Sequence, residues 1–278
     1  MAHRKLSRRR FLGVAFAAAV SASATPGSAG AVRSAARRRD GKHFVLIHGA
    51  WHGAWCWYKI VAGLEEAGQQ ATALDLPSGG IDGSPPDTVT LEAQANRVIA
   101  LLDSLSEPVV LVGHSAGGAV ISLVAEARPQ KVEKLVYLTA FLLPDGVSQA
   151  SVAAQDSQSL ITRHLVFHPD GTIEVDPAAR REVFYGDCDD RDVTLAQSLL
   201  KPSGLRPVAD TVRVGSNFAG VRRFYITCRR DRAISPSVQR SMYTALPCEM
   251  VLSIGSSHSP FFSHPAALLR ALAKIART

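Results

Sequence analysis

From His43 onward, short apolar runs alternate with segments whose apolar residues recur every three to four positions. His43–His48, Gln70–Leu76, Val109–Val112, Leu135–Ala140, Arg223–Cys228 and Met250–Ile254 predict strands. Most are rich in Val, Leu, Ile and Tyr without polar alternation, as strands covered on both faces require. Between them, helices are expected over Trp57–Ala67 (before Gly68), Leu91–Leu105 (after the capping Thr90) and Gly118–Ala127 (before Pro129), with a last one from about His264 to Ala276. Strand–helix alternation of this kind builds a parallel sheet. Residues 142–215 break the rhythm. They hold no clear core strand and are too long for a plain loop. A cap over the strand ends, where open α/β sheets bind ligands, accounts for them. The expected architecture is α/β: a mostly parallel central sheet flanked by helices, with a small helical cap (about 142–215) inserted after the sixth core strand, all within residues 42–278.

The charge of +7 invites comparison with nucleic-acid-binding proteins until it is mapped. Residues 1–40 hold nine Lys and Arg and one acid, Asp40; the remainder holds 22 basic and 23 acidic residues. The body is nearly neutral, which removes the argument for a nucleic-acid-binding core. The basic tail has another explanation. Ser7-Arg8-Arg9-Arg10-Phe11-Leu12 resembles a twin-arginine export signal, followed by a short apolar run (Phe11–Val20) and a small-residue exit at Ala22-Ser23-Ala24. That run is too short to span a bilayer. Residues 1–24 are therefore expected to be a removable signal and 25–41 a flexible spacer. The resemblance implies a bacterial protein carried by the twin-arginine machinery to the periplasm or beyond, with no stable membrane insertion afterwards. Four scattered cysteines, Cys56, Cys188, Cys228 and Cys248, form neither a disulfide framework nor a zinc site. Cys56 and Cys228 read as buried small hydrophobes, and a bridge at Cys188 or Cys248 stays open.

The strongest chemical signal is Gly113-His114-Ser115-Ala116-Gly117, between the strand ending at Val112 and the helix from Gly118. A G-x-S-x-G turn in that setting is a nucleophile elbow: the serine hydroxyl projects from the sheet edge, and the flanking glycines let the backbone fold tightly. A serine needs a base, and the base an orienting acid, in the chain order Ser, Asp/Glu, His. His258 follows the last strand and precedes the last helix, which makes it the base; His264 reads as a helix-start residue, and His164 and His168 fall in the cap. Asp231, after Arg223–Cys228, is the natural acid, with Asp145 as its rival. A surface pairing of Asp231 with Arg229, Arg230 or Arg232 is the alternative without catalysis. The oxyanion needs two backbone N–H donors: Ala116 after the nucleophile, and Ala50 in the loop after the first strand. Phe141, Leu142, Phe261 and Phe262 suit an apolar pocket, ordinary core packing being the competing explanation.

These residues carry a family resemblance. His43-Phe44-Val45-Leu46-Ile47-His48-Gly49-Ala50 and His52-Gly53-Ala54-Trp55-Cys56-Trp57-Tyr58-Lys59 resemble the opening of the plant methylesterase and hydroxynitrile lyase group of α/β-hydrolases, which includes the salicylic-acid-binding methylesterases. The resemblance continues through Thr72–Leu76, Val112–Ser115, Tyr137–Phe141, Leu195–Ser203 and Tyr225–Cys228. It implies an α/β-hydrolase fold, the triad Ser115, Asp231 and His258, oxyanion donors at Ala50 and Ala116, and no cofactor or metal. The lyases of the group have a lysine directly after the base histidine, where this chain has Ser259, and a threonine where it has Gly49. A lyase needs a positive group for departing cyanide, so the difference favours ester hydrolysis. The esterases usually have a small residue or cysteine where Trp51 stands and a methionine where Ser259 stands, which makes Trp51 an expected wall of the acyl pocket. The expected activity is serine carboxylesterase on small to medium, apolar or aromatic esters. Amidase or lactonase chemistry with the same triad, a hydroxynitrile lyase, and a non-catalytic ligand-binding protein on the same scaffold are the alternatives.

Overall fold

The structure, a computed structural model, describes residues 41–278. The expected signal segment (1–24) and the spacer up to residue 40 lie outside the described residues. Six strands, β1 (His43–Ile47), β2 (Gln70–Leu74), β3 (Val109–His114), β4 (Val132–Leu138), β8 (Arg223–Cys228) and β9 (Met250–Ile254), form one sheet in the order β2-β1-β3-β4-β8-β9. Every pairing in it is parallel. The inner strands are buried as their patterning requires, β3 along its whole length and β1 over four of its five residues, whereas the edge strands β2 and β9 are only partly covered.

Each face of the sheet carries its own apolar cluster. Phe44, Leu46, Val110, Val112, Val136 and Leu138 face helices Tyr58–Glu66 and Pro265–Ala276. Val45, Ile47, Leu111, Leu135 and Tyr137 face helices Leu91–Ser104, Gly117–Ala127 and Pro236–Ala245. Helix Leu91–Ser104 illustrates the local logic. Its buried residues Leu91, Ala95, Val98 and Leu102 line one face at helical spacing, and the Thr90 side chain accepts the Ala93 N–H at 3.0 Å, capping the start. Helix Pro236–Ala245 has no counterpart among the expected elements. Only two of its residues, Gln239 and Met242, are buried, so its apolar stripe is too thin to stand out.

The insertion differs from expectation in two ways. It leaves the sheet after β4, the fourth strand in chain order rather than a sixth, and it is not purely helical. Leu142 and Leu143 still belong to the core. Beyond them, short helices (Gln149–Ala153, Arg180–Phe184, Asp190–Leu199 and Arg206–Ala209) accompany an antiparallel sheet of β5 (Leu165–Phe167), β6 (Thr172–Val175) and β7 (Ser203–Gly204), in the order β5-β6-β7. Strands of two to four residues present too few alternations to be told from loop. All four cysteines are free thiols; Cys56, Cys188 and Cys228 are buried.

Candidate active site

Three strands of the parallel sheet, β3 and, across β4 from it, the neighbours β8 and β9, each lead into a turn at the same edge of the sheet. β3 runs into Ser115, whose φ of 53° lies in the left-handed region. For a residue with a side chain that conformation costs roughly 1–3 kcal/mol and persists only where the surroundings impose it. The imposing contacts are visible. The Ser115 N–H donates to the Leu138 carbonyl of β4 (3.3 Å), and its own carbonyl accepts from Gly118 and Phe141 (both 3.1 Å). A side chain at Gly113 would put its Cβ 2.6 Å from the Gly117 carbonyl oxygen, so the turn closes only over glycine.

β8 leads to Asp231 and β9 to His258. The His258 Nδ1–H donates to Asp231 Oδ2 at 2.7 Å, both side chains being buried. Asp231 is saturated with donors. Oδ1 accepts the backbone N–H groups of Ala233 (2.7 Å) and Ile234 (3.0 Å). Oδ2 also accepts from Gln239 Nε2 (3.3 Å) and from the Thr139 hydroxyl. A carboxylate held this way keeps a proton on Nδ1 and orients the ring. Nε2 and the Ser115 hydroxyl make no hydrogen bond to each other or to another described group. His114, next to Ser115, links the two turns: its ring lies 4.6 Å from the His258 ring, and its Nε2 is 2.9 Å from the His258 carbonyl oxygen.

The loop after β1 approaches Ser115 from the other side. A Cβ at Gly49 would sit 2.7 Å from the Ser115 Cβ, so glycine is what lets the loop come this close. The Ala50 and Ala116 N–H groups donate to no described protein group. His48 explains how Ala50 is aimed. Its Nε2 accepts the Leu76 N–H (3.1 Å), so its proton is on Nδ1, which donates to the Gly49 carbonyl (2.8 Å). In a trans peptide the N–H points opposite the C=O, so pinning the Gly49 carbonyl directs the Ala50 N–H away from His48. Burial pushes the His48 and His114 rings below the ordinary imidazole range.

A cavity of about 200 Å³ opens beside Ser115, walled by Ala50, Trp51, Ala116 and Phe141 from the sheet side and by Ile161, Leu165, Ile173 and Val208 from the cap. Trp51 is tied into the cap: its backbone N–H donates to Ser203 Oγ and its indole N–H to the Ile173 carbonyl, both at 2.9 Å. Phe167 and Leu205, 65% and 41% exposed, stand where the cavity meets solvent.

Of the residues expected at the site, Ser115, Ala50, Ala116, Trp51 and Phe141 line the cavity; Asp231 and His258 form a buried pair that does not line it. Leu142 and Phe261 do not line it. Both are fully buried in the core, Leu142 under the sheet and Phe261 against Trp57 and His114. Asp145, the rival acid, is on the surface, accepting the Val214 N–H. None of Arg229, Arg230 and Arg232 pairs with Asp231; Arg230 pairs with Asp187 and Arg232 with Glu182. Thr139, Gln239 and Gln149 escaped the sequence reading. Thr139 and Gln239 hold Asp231, and Gln149, 2% exposed, lines the cavity from the cap. Thr139 carries one signal, its place directly after a strand that ends beside the elbow.

Elbow, buried carboxylate–imidazole pair and parallel sheet together define an α/β-hydrolase. The chain belongs to the Alpha/beta hydrolase family, which it matches over residues 44–271. Within that family it is similar to methylesterases. It is 36% identical over 251 residues to a putative chloroplastic methylesterase of Arabidopsis thaliana, the match covering 85% of this chain and 72% of the relative. It is 34% identical over 257 residues to salicylic acid-binding protein 2 of Nicotiana tabacum (86% and 98% covered). The crystal structure of an Arabidopsis methylesterase superposes with a TM-score of 0.76 at 28% identity, covering 85% of this chain and 99% of that one.

Proposed function

We propose that the protein is a serine carboxylesterase that cleaves small to medium, apolar or aromatic esters through an acyl-enzyme on Ser115. One observation carries this reading: a strained serine lining an apolar cavity, on a turn whose neighbour His114 packs against a buried imidazole held by a saturated carboxylate. His258 Nε2 takes the Ser115 proton as the hydroxyl oxygen attacks the ester carbonyl. That contact is one that tightens when substrate is bound. The Ala50 and Ala116 N–H groups receive the oxyanion; a single such donor contributes roughly 3–4 kcal/mol to the transition state. His258 then protonates the departing alkoxide, and water attacks the acyl-enzyme with the same base. Asp231 keeps the Nδ1 proton in place and stabilises the imidazolium. Ser259, where a related lyase has a lysine, is a fully buried hydroxyl with no charge to hold cyanide, which favours hydrolysis over lyase chemistry.

The test is a panel of aryl acetates, longer acyl esters, methyl esters of aromatic acids and matching amides and lactones, run on wild type and Ser115→Ala. Ester turnover is expected in the wild type, falling at least about 10⁴-fold in the variant. Wild-type rates in Ser115→Ala contradict the assignment, and a preference for amides or lactones redirects it. We also infer export from residues 1–24, supported by the Arg8-Arg9-Arg10 motif and its apolar run; replacing Arg8 and Arg9 by lysine is expected to leave uncleaved protein in the cytoplasm of a bacterial host.

A further inference from the structure

Two residues beyond Ala50, His52 is 2% exposed and enclosed by aromatic rings: stacked on Trp55 at 5.5 Å, with edge contacts to Phe184, Tyr185, His114 and Phe261. Its two nitrogens have one partner each. Nδ1 lies 2.8 Å from the Ala50 carbonyl oxygen, and Nε2 lies 2.7 Å from the hydroxyl of Tyr185, a fully buried cap residue. A carbonyl only accepts, so Nδ1 carries the proton. Nε2 is then an acceptor, and the tyrosine must donate. The chain of hydrogen bonds runs in one direction, from the cap through the imidazole into the Ala50–Trp51 peptide. Burial lowers the His52 pKa to about 3, which keeps the ring neutral at working pH.

We propose that Tyr185 and His52 are positioning residues for ester hydrolysis: the cap tyrosine, acting through the histidine, fixes the Ala50–Trp51 peptide and so aims the Ala50 N–H at the oxyanion. This rests on the Ser115 reading above. With His48 on the Gly49 carbonyl and His52 on the Ala50 carbonyl, the peptides on both sides of the Ala50 Cα are held. One clamp is anchored in the turn after β2 and the other in the cap. Seating of the cap therefore completes the oxyanion site in addition to walling the cavity. Without the tyrosine hydroxyl, the buried Nε2 is left without a partner and the ring loses its tie to the cap, so the Ala50 carbonyl alone is left to orient it.

Tyr185→Phe keeps the ring and removes the hydroxyl. It is expected to lower kcat on nitrophenyl acetate roughly 10- to 100-fold, somewhat less than deletion of an oxyanion donor outright, with KM changed less than about twofold. A trifluoromethyl ketone, which forms a tetrahedral oxyanion adduct on the serine, is expected to lose affinity by the same factor as kcat/KM, and the planar methyl ketone to lose none. His52→Gln, which retains an N–H for Ala50 and a carbonyl for Tyr185, is expected to recover most of the rate lost in His52→Leu and serves if Tyr185→Phe does not fold. Wild-type kcat and trifluoromethyl ketone affinity in Tyr185→Phe overturn the inference, as does equal weakening of both ketones or His52→Gln no better than His52→Leu. Such results leave the Ser115 reading standing where Ser115→Ala is inactive; turnover by Ser115→Ala at the wild-type rate removes both.

Discussion

The ends of the sheet strands and the cap contribute to the same cavity by different physics. Ser115, Asp231 and His258 sit on short turns directly after β3, β8 and β9, so a parallel sheet brings them together almost regardless of what surrounds it. The cap wall, from Gln149 through Ile161, Leu165 and Ile173 to Val208, depends on short elements that hold their shape by packing on one another and on the sheet. The candidate triad lies in the part of the fold with the strongest local rules, and much of the cavity wall in the part with the weakest. Trp51 and His52 are where the two regions meet, each belonging to the loop after β1 and bonded to the cap.

The sheet-end residues should show the largest effects. Asp231→Asn preserves shape, yet its amide can present N–H to the imidazole and favour the wrong tautomer. A kcat loss of about 10⁴-fold on nitrophenyl acetate is expected, the size seen for the same substitution in another serine hydrolase triad. A loss below tenfold would mean that the carboxylate is structural. The cap boundary should respond in selectivity instead. Trp51→Leu removes most of a ring from the cavity wall, so kcat/KM for a bulky aryl ester should rise roughly 10-fold relative to the acetate. An unchanged ratio would place the size limit elsewhere in the cap.

The third expected effect is on stability. Burial holds His52 at about 3 and lowers His48 and His114 as well, while in the unfolded chain each returns to about 6.5. Below that value the unfolded chain binds protons that the folded one does not. Stability is therefore full above about pH 6.5 and falls as the pH drops toward 3. The urea midpoint should be lower at about pH 4.5 than at about pH 7. Equal midpoints would mean that these rings are charged in the folded protein.

The same division explains what was legible in the sequence. Strand patterning, the glycines around Ser115 and the chain order of serine, acid and histidine are local or ordinal features, and the triad candidates and both N–H donors follow from them. Leu142 and Phe261 differ: an apolar residue near such a turn looks alike in sequence whether it faces the core or a cavity, and here both face the core. Thr139 and Gln239 lay beyond reach because a hydroxyl and an amide acquire their role only from Asp231 beside them in space. The cap strands were missed because β5, β6 and β7 are three, four and two residues long. The tautomers of His48 and His52 follow from partners that only the folded chain supplies, Leu76 in one case and Tyr185 in the other.

The most direct measurement is mass spectrometry of the protein after treatment with a fluorophosphonate, which reacts with serines activated by a base. One adduct per chain, mapped to the peptide containing Ser115 and absent after Ser115→Ala or His258→Ala, is the expected result. An unmodified protein that nonetheless hydrolyses esters, or an adduct on another residue that survives Ser115→Ala, would contradict the account.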